Sequence, residues 1–419
     1  MIYLKSRNFK ILDIFSGAGG MAEGFIQAGF IPIAATDMSR EVAETYENRH
    51  RQLGYSTNYY CGDIKDLINE SKIKDLTEGQ DIDVVVGGPP CQGFSLSGKR
   101  DLNDPRNLLF IDYLRIVNLV KPKYFVMENV EGILSYEFKN VKGIFGEYCN
   151  VTACEVIIKE ALNIGYKVKY KVLNAKDYGI PQNRPRVIFI GHKIEIINNK
   201  IFNTYFPPMF PKKKIARITV EDAISDLKFL KAGQRSNKYD NRFGNKSLYQ
   251  TKLRKGLTPS IFGSPIALHE LYNHQSTLHS DVVTKRFQAL NQGESVGQLI
   301  NRLPSELKTE LMTNKYRCTK LKSDKVAPTI LTLPDDIVHY EEKNPRILTV
   351  RELARIQSFD DSFIFYGNRT TGGKRRKLET PQYTQVGNAV PPLLAKAVAE
   401  EIMRALRKVE NKEEVLCLN

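Results

Sequence analysis

A cysteine behind two prolines is the first pattern in this chain that could do covalent chemistry. The run Gly88-Pro89-Pro90-Cys91-Gln92-Gly93-Phe94-Ser95 follows an apolar stretch at 82–86. Prolines fix φ and stiffen the turn, which presents the Cys91 thiol at a strand end. A lone cysteine is more often a small buried hydrophobe, but the Pro-Pro flank argues against that here. To attack, a thiol of pKa near ~8.5 must first become the thiolate. Glu128, in Met127-Glu128-Asn129-Val130, ends the next apolar stretch. A thiol and a carboxyl on neighbouring strand ends can work on one heteroaromatic ring. The thiolate adds to carbon, and the carboxyl protonates or hydrogen-bonds the ring nitrogen. In Gln182-Asn183-Arg184-Pro185-Arg186 the arginines alternate. An extended backbone points both to one side, where they could grip carbonyl oxygen or phosphate as planar forks. The plainer reading is a pair of surface charges.

A second group of residues suits a nucleoside. Asp13-Ile14-Phe15-Ser16-Gly17-Ala18-Gly19-Gly20 reads as strand, glycine turn and helix start. Glycines permit tight turning and close approach of a ligand to a helix N-terminus. Gly17-x-Gly19-x-x-Ala22 fits the loose dinucleotide pattern, and Asp37 follows twenty residues after Gly17 at the next strand end. A carboxylate there can accept from ribose hydroxyls. NAD, FAD and S-adenosylmethionine all remain open on this pattern. Asp63, ending a third strand, either reaches an adenine amino group or caps the helix that follows. His269, His274 and His279 recur every five residues with no cysteine beside them. Zinc wants convergent ligands in tetrahedral array, so no metal site is expected.

These residues need a scaffold that collects strand ends. Apolar runs predict strands over 10–15, 31–36, 82–86, 124–127, 166–173 and 187–190. Helices are expected over 21–28, 41–49, 108–119 and 155–162. Such alternation argues for an α/β fold, a Rossmann-like parallel sheet with helices on both faces. Ligands in these sheets bind at the carboxyl ends of strands, where the residues above fall. From 196 to 345 the rhythm breaks into polar, basic, proline-punctuated sequence, which predicts a smaller inserted domain. The expected division is therefore 1–195, 196–345 and 346–419. The pattern resumes with a helix at 351–357 and a longer one at 391–407. Leu394, Val398, Ile402 and Leu406 form a core stripe on the latter.

The 419 residues carry 62 Lys+Arg against 47 Asp+Glu, a net charge of +15. Residues 193–348 hold 26 basic and 15 acidic residues, most of that excess. A second cluster, Lys374-Arg375-Arg376-Lys377, follows two glycines. Localised positive charge is the footprint of a polyanion partner, or else a solvated lysine-rich face. No long basic amphipathic helix supports an anionic membrane instead. No apolar run reaches the ~18–20 residues that cross a bilayer, and the first residues lack a signal-peptide pattern. Six scattered cysteines with no C-x-x-C pair fit a reducing cytosol, so a cytoplasmic location is expected.

Taken in order, these motifs resemble the DNA (cytosine-5) methyltransferases of bacterial restriction–modification systems. The set comprises Phe15 to Gly20, Gly88-Pro89-Pro90-Cys91-Gln92, Glu128-Asn129-Val130 and Gln182 to Arg186. Arg351-Glu352-Leu353-Ala354-Arg355-Ile356-Gln357-Ser358-Phe359 and Gln385-Val386-Gly387-Asn388-Ala389-Val390-Pro391-Pro392 complete it. Together they span residues 11 to about 395, and the basic insert lies where the family carries its target-recognition domain. The resemblance implies Cys91 as the nucleophile at cytosine C6 and Glu128 on N3 and the exocyclic amine. It implies Arg186 on O2, and Arg184 on nearby phosphate or the catalytic loop. Phe15, Gly17 and Gly19 would line S-adenosyl-L-methionine, with Asp37 on the ribose, Asp63 on the adenine and Asn388 in a motif returning to the cofactor side. Ser97 would enter the space left by the extruded base, and Lys374, Arg375 and Arg376 would meet DNA. The implied partner is double-stranded DNA bound by a monomer, with a paired restriction endonuclease in the same cell. Two departures stand out: Asp37-Met38 where the family usually has Glu-Trp, and Asp360-Asp361 where proline is common after Phe359. A tRNA cytosine methyltransferase shares most motifs, but its Cys-Phe-Thr element is missing here. A nicotinamide oxidoreductase would explain Asp37 but not Cys91, Glu128 and the arginines together. A catalytically dead DNA-binding module would leave the intact chemistry residues unexplained.

Overall fold

The computed structural model of the chain describes residues 8–90, 93, 104–198, 200–214, 217–244, 247–372, 375 and 378–417, with side chains of the last helix as far as Val409. Five strands run parallel: β1 (Lys10–Ile14), β2 (Ile31–Asp37), β3 (Asn58–Cys61), β4 (Val84–Gly87) and β5 (Tyr124–Asn129). Their order across the sheet is β5-β4-β1-β2-β3. Helices α1 (Gly20–Gln27), α2 (Arg40–Leu53), α3 (Glu70–Leu76) and α4 (Leu109–Val120) connect or follow them. Successive side chains of a strand point to opposite faces. Leu12, Val85 and Phe125 accordingly enter one core with Phe110 and Leu114 of α4. Ile11, Val84 and Val126 enter the other, with Phe25 of α1. Strands buried on both faces read as unbroken apolar runs, as Val84-Val85-Val86 does.

The far side of the sheet is antiparallel, so the expected Rossmann-like sheet is mostly rather than wholly parallel. After a separate hairpin of β6 (Glu137–Lys142) and β7 (Glu147–Thr152), α5 (Ala153–Asn163) leads to β8 (Tyr166–Asn174) and β9 (Pro185–Ile197). β9 is antiparallel to β5 and to β8, and β10 (Lys200–Asn203) folds back on its end. The link from β8 to β9 is too short for a crossover helix, so the chain must reverse.

The remainder builds two further cores. In the first, α6 (Val220–Ile224) and α7 (Leu248–Lys255) supply Val220, Ile224 and Leu253. A smaller one gathers Phe287, Leu299 and Leu311 from α8 (Asp281–Ala289), α9 (Val296–Arg302) and α10 (Ser305–Leu311). The larger also contains Leu353 of α11 (Val350–Ile356) and Val386 of α12 (Gln382–Asn388). Segment 220–253 therefore shares a core with the closing motifs. The final helix, α13 (Pro392–Cys417), buries its expected stripe of Leu394, Val398, Ile402 and Leu406 in the α1 core. It runs ten residues past the expected end, through a stretch rich in helix-favouring Lys and Glu.

Candidate active site

The carboxyl ends of β1, β4 and β5 lie side by side in the sheet, and each carries one piece of the site. β1 ends in the glycine turn. Gly17 and Gly19 have φ of 53° and 90°, left-handed values that glycine adopts without steric cost. Phe15 has φ 56°, costly for a residue with a Cβ. Such strain is typically retained at functional sites. A Cβ added to Gly17 would meet nothing within 4 Å, so the turn opens outward. Its amide donates to Asp37 Oδ2 at 3.1 Å, and Asp37 Oδ1 accepts from the Ser39 amide at 3.1 Å. Burial raises the Asp37 pKa, against the pull of those amides. Beneath the turn Asp13 is 0% exposed, and neither carboxyl oxygen makes a well-formed hydrogen bond. Burial, then the charge of Asp37, raises its pKa well above the usual range.

β5 ends in Glu128, and the antiparallel register of β9 brings Arg186 beside it. Arg186 Nε lies 2.8 Å from Glu128 Oε1, and each side chain is 12% exposed. Arg186 Nη1 also donates to the Pro185 carbonyl at 2.7 Å. A Cβ on Gly88 would sit 3.1 Å from Glu128 Oε2, so the turn after β4 abuts this pair. Asn129 Nδ2 donates to the Pro89 carbonyl at 3.2 Å, tying that turn to the end of β5. Beyond the turn, the Gly93 amide donates to Asn107 Oδ1 at 3.0 Å, and Asn107 Nδ2 donates to Tyr136 Oη at 3.1 Å. Cys91, Ser97, Lys374 and Arg376 lie outside the described residues.

Arg184, expected on nearby phosphate or the catalytic loop, is anchored in the interior. Its guanidinium is 2% exposed and donates to the carbonyls of Ile330 at 3.0 Å, Gly387 at 2.7 Å and Ala389 at 3.2 Å. Both terminal nitrogens are thus engaged by backbone carbonyls, while Nε makes no hydrogen bond among the described residues. Burial, and then the charge of Arg186, lowers its pKa well below the ordinary value. Gln182 completes the clamp. Its Nε2 donates to Gln357 Oε1 at 2.7 Å, and Gln357 Nε2 donates to the Val386 carbonyl at 2.7 Å. Three motifs far apart in sequence are thereby held together behind the crevice.

Comparison with known proteins now bears on this geometry. The family model described as C-5 cytosine-specific DNA methylase matches residues 9–404. The chain belongs to that family. It is similar to the type II methyltransferase M.DdeI of Desulfomicrobium norvegicum, 36% identical over 94% of this chain and 88% of that one. Against the type II methyltransferase M1.HphI of Haemophilus parahaemolyticus the identity is 32%, over 96% and 88%. A solved E. coli protein, described as a DNA modification methyltransferase encoded within a prophage, shares the fold. Its TM-score is 0.68 at 24% identity, covering 96% of this chain and all of that one. The chain is therefore a DNA (cytosine-5) methyltransferase.

The methylase brings together Phe15, Gly17, Gly19 and Asp37 at one turn, and Glu128 and Arg186 at the adjacent strand ends. Asp63 is exposed, one strand beyond Asp37, and accepts from the Lys65 amide at 3.0 Å as the cap of a short 3₁₀ turn. Asn388 is exposed at the end of α12, between two of the three residues whose carbonyls Arg184 holds. Arg375 is exposed, and its backbone carbonyl accepts from the Leu378 and Glu379 amides. The three spaced histidines part company: His269 is exposed, His274 Nδ1 meets Thr349 Oγ1 at 3.0 Å, and His279 Nε2 accepts from the Ile347 amide at 3.3 Å. Asn107 and Asp13, to which the sequence assigned no role, lie beside these elements. Asp13 stands at the head of the glycine motif, a signal that could have found it. Asn107 gives none. Among the described residues no helix is long and apolar enough to cross a membrane.

Proposed function

We propose that this methylase acts on cytosine within a specific duplex sequence, using S-adenosyl-L-methionine, base extrusion and a transient Cys91–C6 bond. The Glu128–Arg186 pair against the turn that leads into Cys91 is the observation that carries the reading. A carboxyl and a guanidinium held together suit the N3, amine and O2 edge of a flipped cytosine. The outward-opening glycine turn, with Asp37 fastened beside it and the buried Asp13 beneath, fits a nucleoside cofactor. Phe15, Gly17 and Gly19 would line it, with Asp37 at the ribose and Asp63 at the adenine. When bound, S-adenosyl-L-methionine supplies an electrophilic methyl group.

Neutral cytosine C5 is a poor nucleophile, so the protein must raise its electron density. The Cys91 thiolate bonds to C6 and pushes an electron pair toward C5, while Glu128 hydrogen-bonds N3 and the exocyclic amine and Arg186 meets O2. C5 so activated would take the methyl group, the bound S-adenosyl-L-methionine leaving as S-adenosyl-L-homocysteine. Water accepts the C5 proton, the C6–S bond breaks, and the thiolate departs as aromaticity returns. Extruding the base costs a few kcal/mol, roughly, which phosphate contacts of the basic segments offset. Likeness to type II relatives suggests a protective role beside a paired endonuclease, with the enzyme working as a monomer in the cytoplasm. Arg375, with Lys374 and Arg376, would hold phosphate, and Ser97 would fill the vacated stack.

The test supplies labelled S-adenosyl-L-methionine with plasmid DNA and maps the product by bisulfite sequencing. Label should appear at C5 of cytosine in one sequence context, and Cys91→Ser should abolish it. Duplex carrying 5-fluorocytosine at the mapped position should crosslink to Cys91. Label on adenine, on cytosine N4 or on RNA alone, or an active serine variant, would overturn the reading.

A further inference from the structure

Asn107 lies outside every motif that carried the resemblance, yet its buried amide group meets the chain beside Cys91. Oδ1 accepts from the Gly93 amide at 3.0 Å, and Nδ2 donates to Tyr136 Oη at 3.1 Å. The fit is close, because a Cβ on Gly93 would run into both of these atoms. Gly93 comes two residues after Cys91. Two residues before Cys91, the Pro89 carbonyl accepts from Asn129 Nδ2 at 3.2 Å. The chain is therefore held on either side of Cys91 by a buried asparagine. One reaches from the end of β5, the other from the 3₁₀ turn Pro105–Leu108 that leads into α4.

Asn107 is itself anchored at both ends. Its own backbone amide donates to the Asp104 carbonyl at 3.0 Å, and Asp104 Oδ1 caps the same turn by accepting from the Arg106 amide at 2.9 Å. Behind it Tyr136 is buried, with its ring 4.9 Å from that of Phe138 and its carbonyl accepting from the Ala153 amide at 2.9 Å. Tyr136 follows the 3₁₀ helix Glu131–Ser135, which leaves the strand that ends in Glu128 and Asn129. Asn107 thus joins the chain after Cys91 to the chain after Glu128. A buried amide often does no more than satisfy a backbone N–H. The place of this one gives it a further use. Covalent attack needs the nucleophile and its target carbon in near-attack contact, and a displacement of about 1 Å can cost ~10²-fold in rate. Supporting side chains locked by packing and hydrogen bonds are what hold such a geometry.

We propose that Asn107 is a positioning residue for the nucleophile: backed by Tyr136, it fixes the backbone after Cys91, as Asn129 fixes the backbone before it, and so sets where the thiolate meets C6 of the base. The proposal rests on the reading of Cys91 as that nucleophile. Full-length wild type, Asn107→Ala, Asn107→Asp and Tyr136→Phe are compared in steady-state methylation. The rate at which Cys91 crosslinks to a duplex carrying 5-fluorocytosine is measured beside it, at saturating S-adenosyl-L-methionine. Asn107→Ala should lower kcat and the crosslinking rate together, by about 10²-fold, with both KM values near wild type. Asn107→Asp should recover most of both rates. One carboxyl oxygen keeps the Gly93 amide, and the other pairs with Tyr136 in either protonation state, since a phenol both donates and accepts. Tyr136→Phe leaves the Gly93 bond but removes its backing, and should fall between. Should Asn107→Ala fail to fold, Tyr136→Phe decides by the same joint fall or its absence. Crosslinking by Asn107→Ala at the wild-type rate, a rise in both KM values as large as the fall in kcat, or an Asn107→Asp as slow as Asn107→Ala would overturn the proposal. A wild type that forms no Cys91 crosslink would defeat the catalytic reading and this proposal together. A wild type that crosslinks, with all three variants matching it, would defeat this proposal alone.

Discussion

The catalytic crevice and the polar cluster around α11 use the same residue types to opposite ends. In the cluster every charge is answered. Arg355 donates to Asp361 at 2.8 and 2.6 Å, to Asp226 at 2.5 Å and to the Ala223 carbonyl at 3.1 Å. Arg346 holds both oxygens of Glu352, at 2.8 and 2.7 Å, and Arg351 is covered by the carbonyls of Tyr272, Asp360 and Phe363. Burying such charges is tolerable because partners replace the lost water. At the crevice the accounts are left open. Among the described residues Glu128 is held by Arg186 alone, Asp13 lacks a well-formed bond, and Phe15 keeps a strained backbone. Arginines and carboxylates are thus not informative by type. Whether their bonding capacity is exhausted by the fold separates scaffold from site.

That contrast breaks first at Arg355. Its replacement by leucine strands Asp361 and part of Asp226 in the interior, which should cost about 3–5 kcal/mol. The urea midpoint reads this directly, and a loss under about 1 kcal/mol would mean that the cluster is not the structural member of the pair. Glu128→Gln should do the reverse. Turnover should fall by about 10²–10⁴-fold, as when a positioned acid–base group is lost. The urea midpoint should stay near wild type, because one partly exposed ion pair is all that changes. A midpoint falling as far as that of Arg355→Leu would place Glu128 with the scaffold.

The same distinction explains what the sequence revealed. Strand ends, the glycine turn and the neighbouring strand-end positions of Glu128 and Arg186 were legible because apolar runs and short motifs encode them locally. The β6–β7 hairpin was not, since its inward residues Phe138 and Val141 are three apart and hide the period of two. Nor was the target of Arg184, whose carbonyl partners lie 146 and 203 residues away. Asp360 and Asp361 looked like a harmless departure after Phe359. In the fold, Asp360 Oδ2 accepts from the Leu257 amide at 2.6 Å and lies 3.5 Å from Arg49, while Asp361 takes Arg355 and Tyr239. Contacts of this range have no local pattern to betray them.

The two regions should also answer acid differently. Burial pushes His274 and His339, both beside the Arg346–Glu352 pair, down to about 3. Unfolded histidine titrates near ~6.5, so the unfolded chain binds more protons as pH falls below that value. Stability contributed by these rings is present above pH ~6.5 and is lost progressively toward pH 3, by about 1.4 kcal/mol per pH unit for each. Asp13 and Asp37 have raised values, so their contribution runs the other way, present below the unfolded carboxylate value near ~4 and lost as pH rises through the folded one. Urea midpoints should change little between pH 7.5 and 6.5 and fall from pH 6.5 to 5.5 in the wild type, and fall less in a His274→Gln/His339→Gln variant. Parallel curves for the two proteins would show that the cluster does not carry the acid sensitivity.

The smallest effect falls at Asp63, which lies between the two classes. Its carboxylate already serves the fold by capping the 3₁₀ turn, yet it is exposed at the strand end next to that of Asp37. Serine separates these roles, because it caps nearly as well but is too short to reach an adenine amine. Asp63→Ser should therefore keep the wild-type urea midpoint and weaken S-adenosyl-L-methionine binding by about 2–10-fold, the worth of one hydrogen bond. Asp63→Ala should weaken binding similarly and also lose about 1 kcal/mol of stability with the cap. If calorimetry finds Asp63→Ser binding the cofactor as tightly as wild type, the carboxylate's capacity is exhausted by the turn. Asp63 then belongs with Arg355, as a charged group whose work is done by the fold.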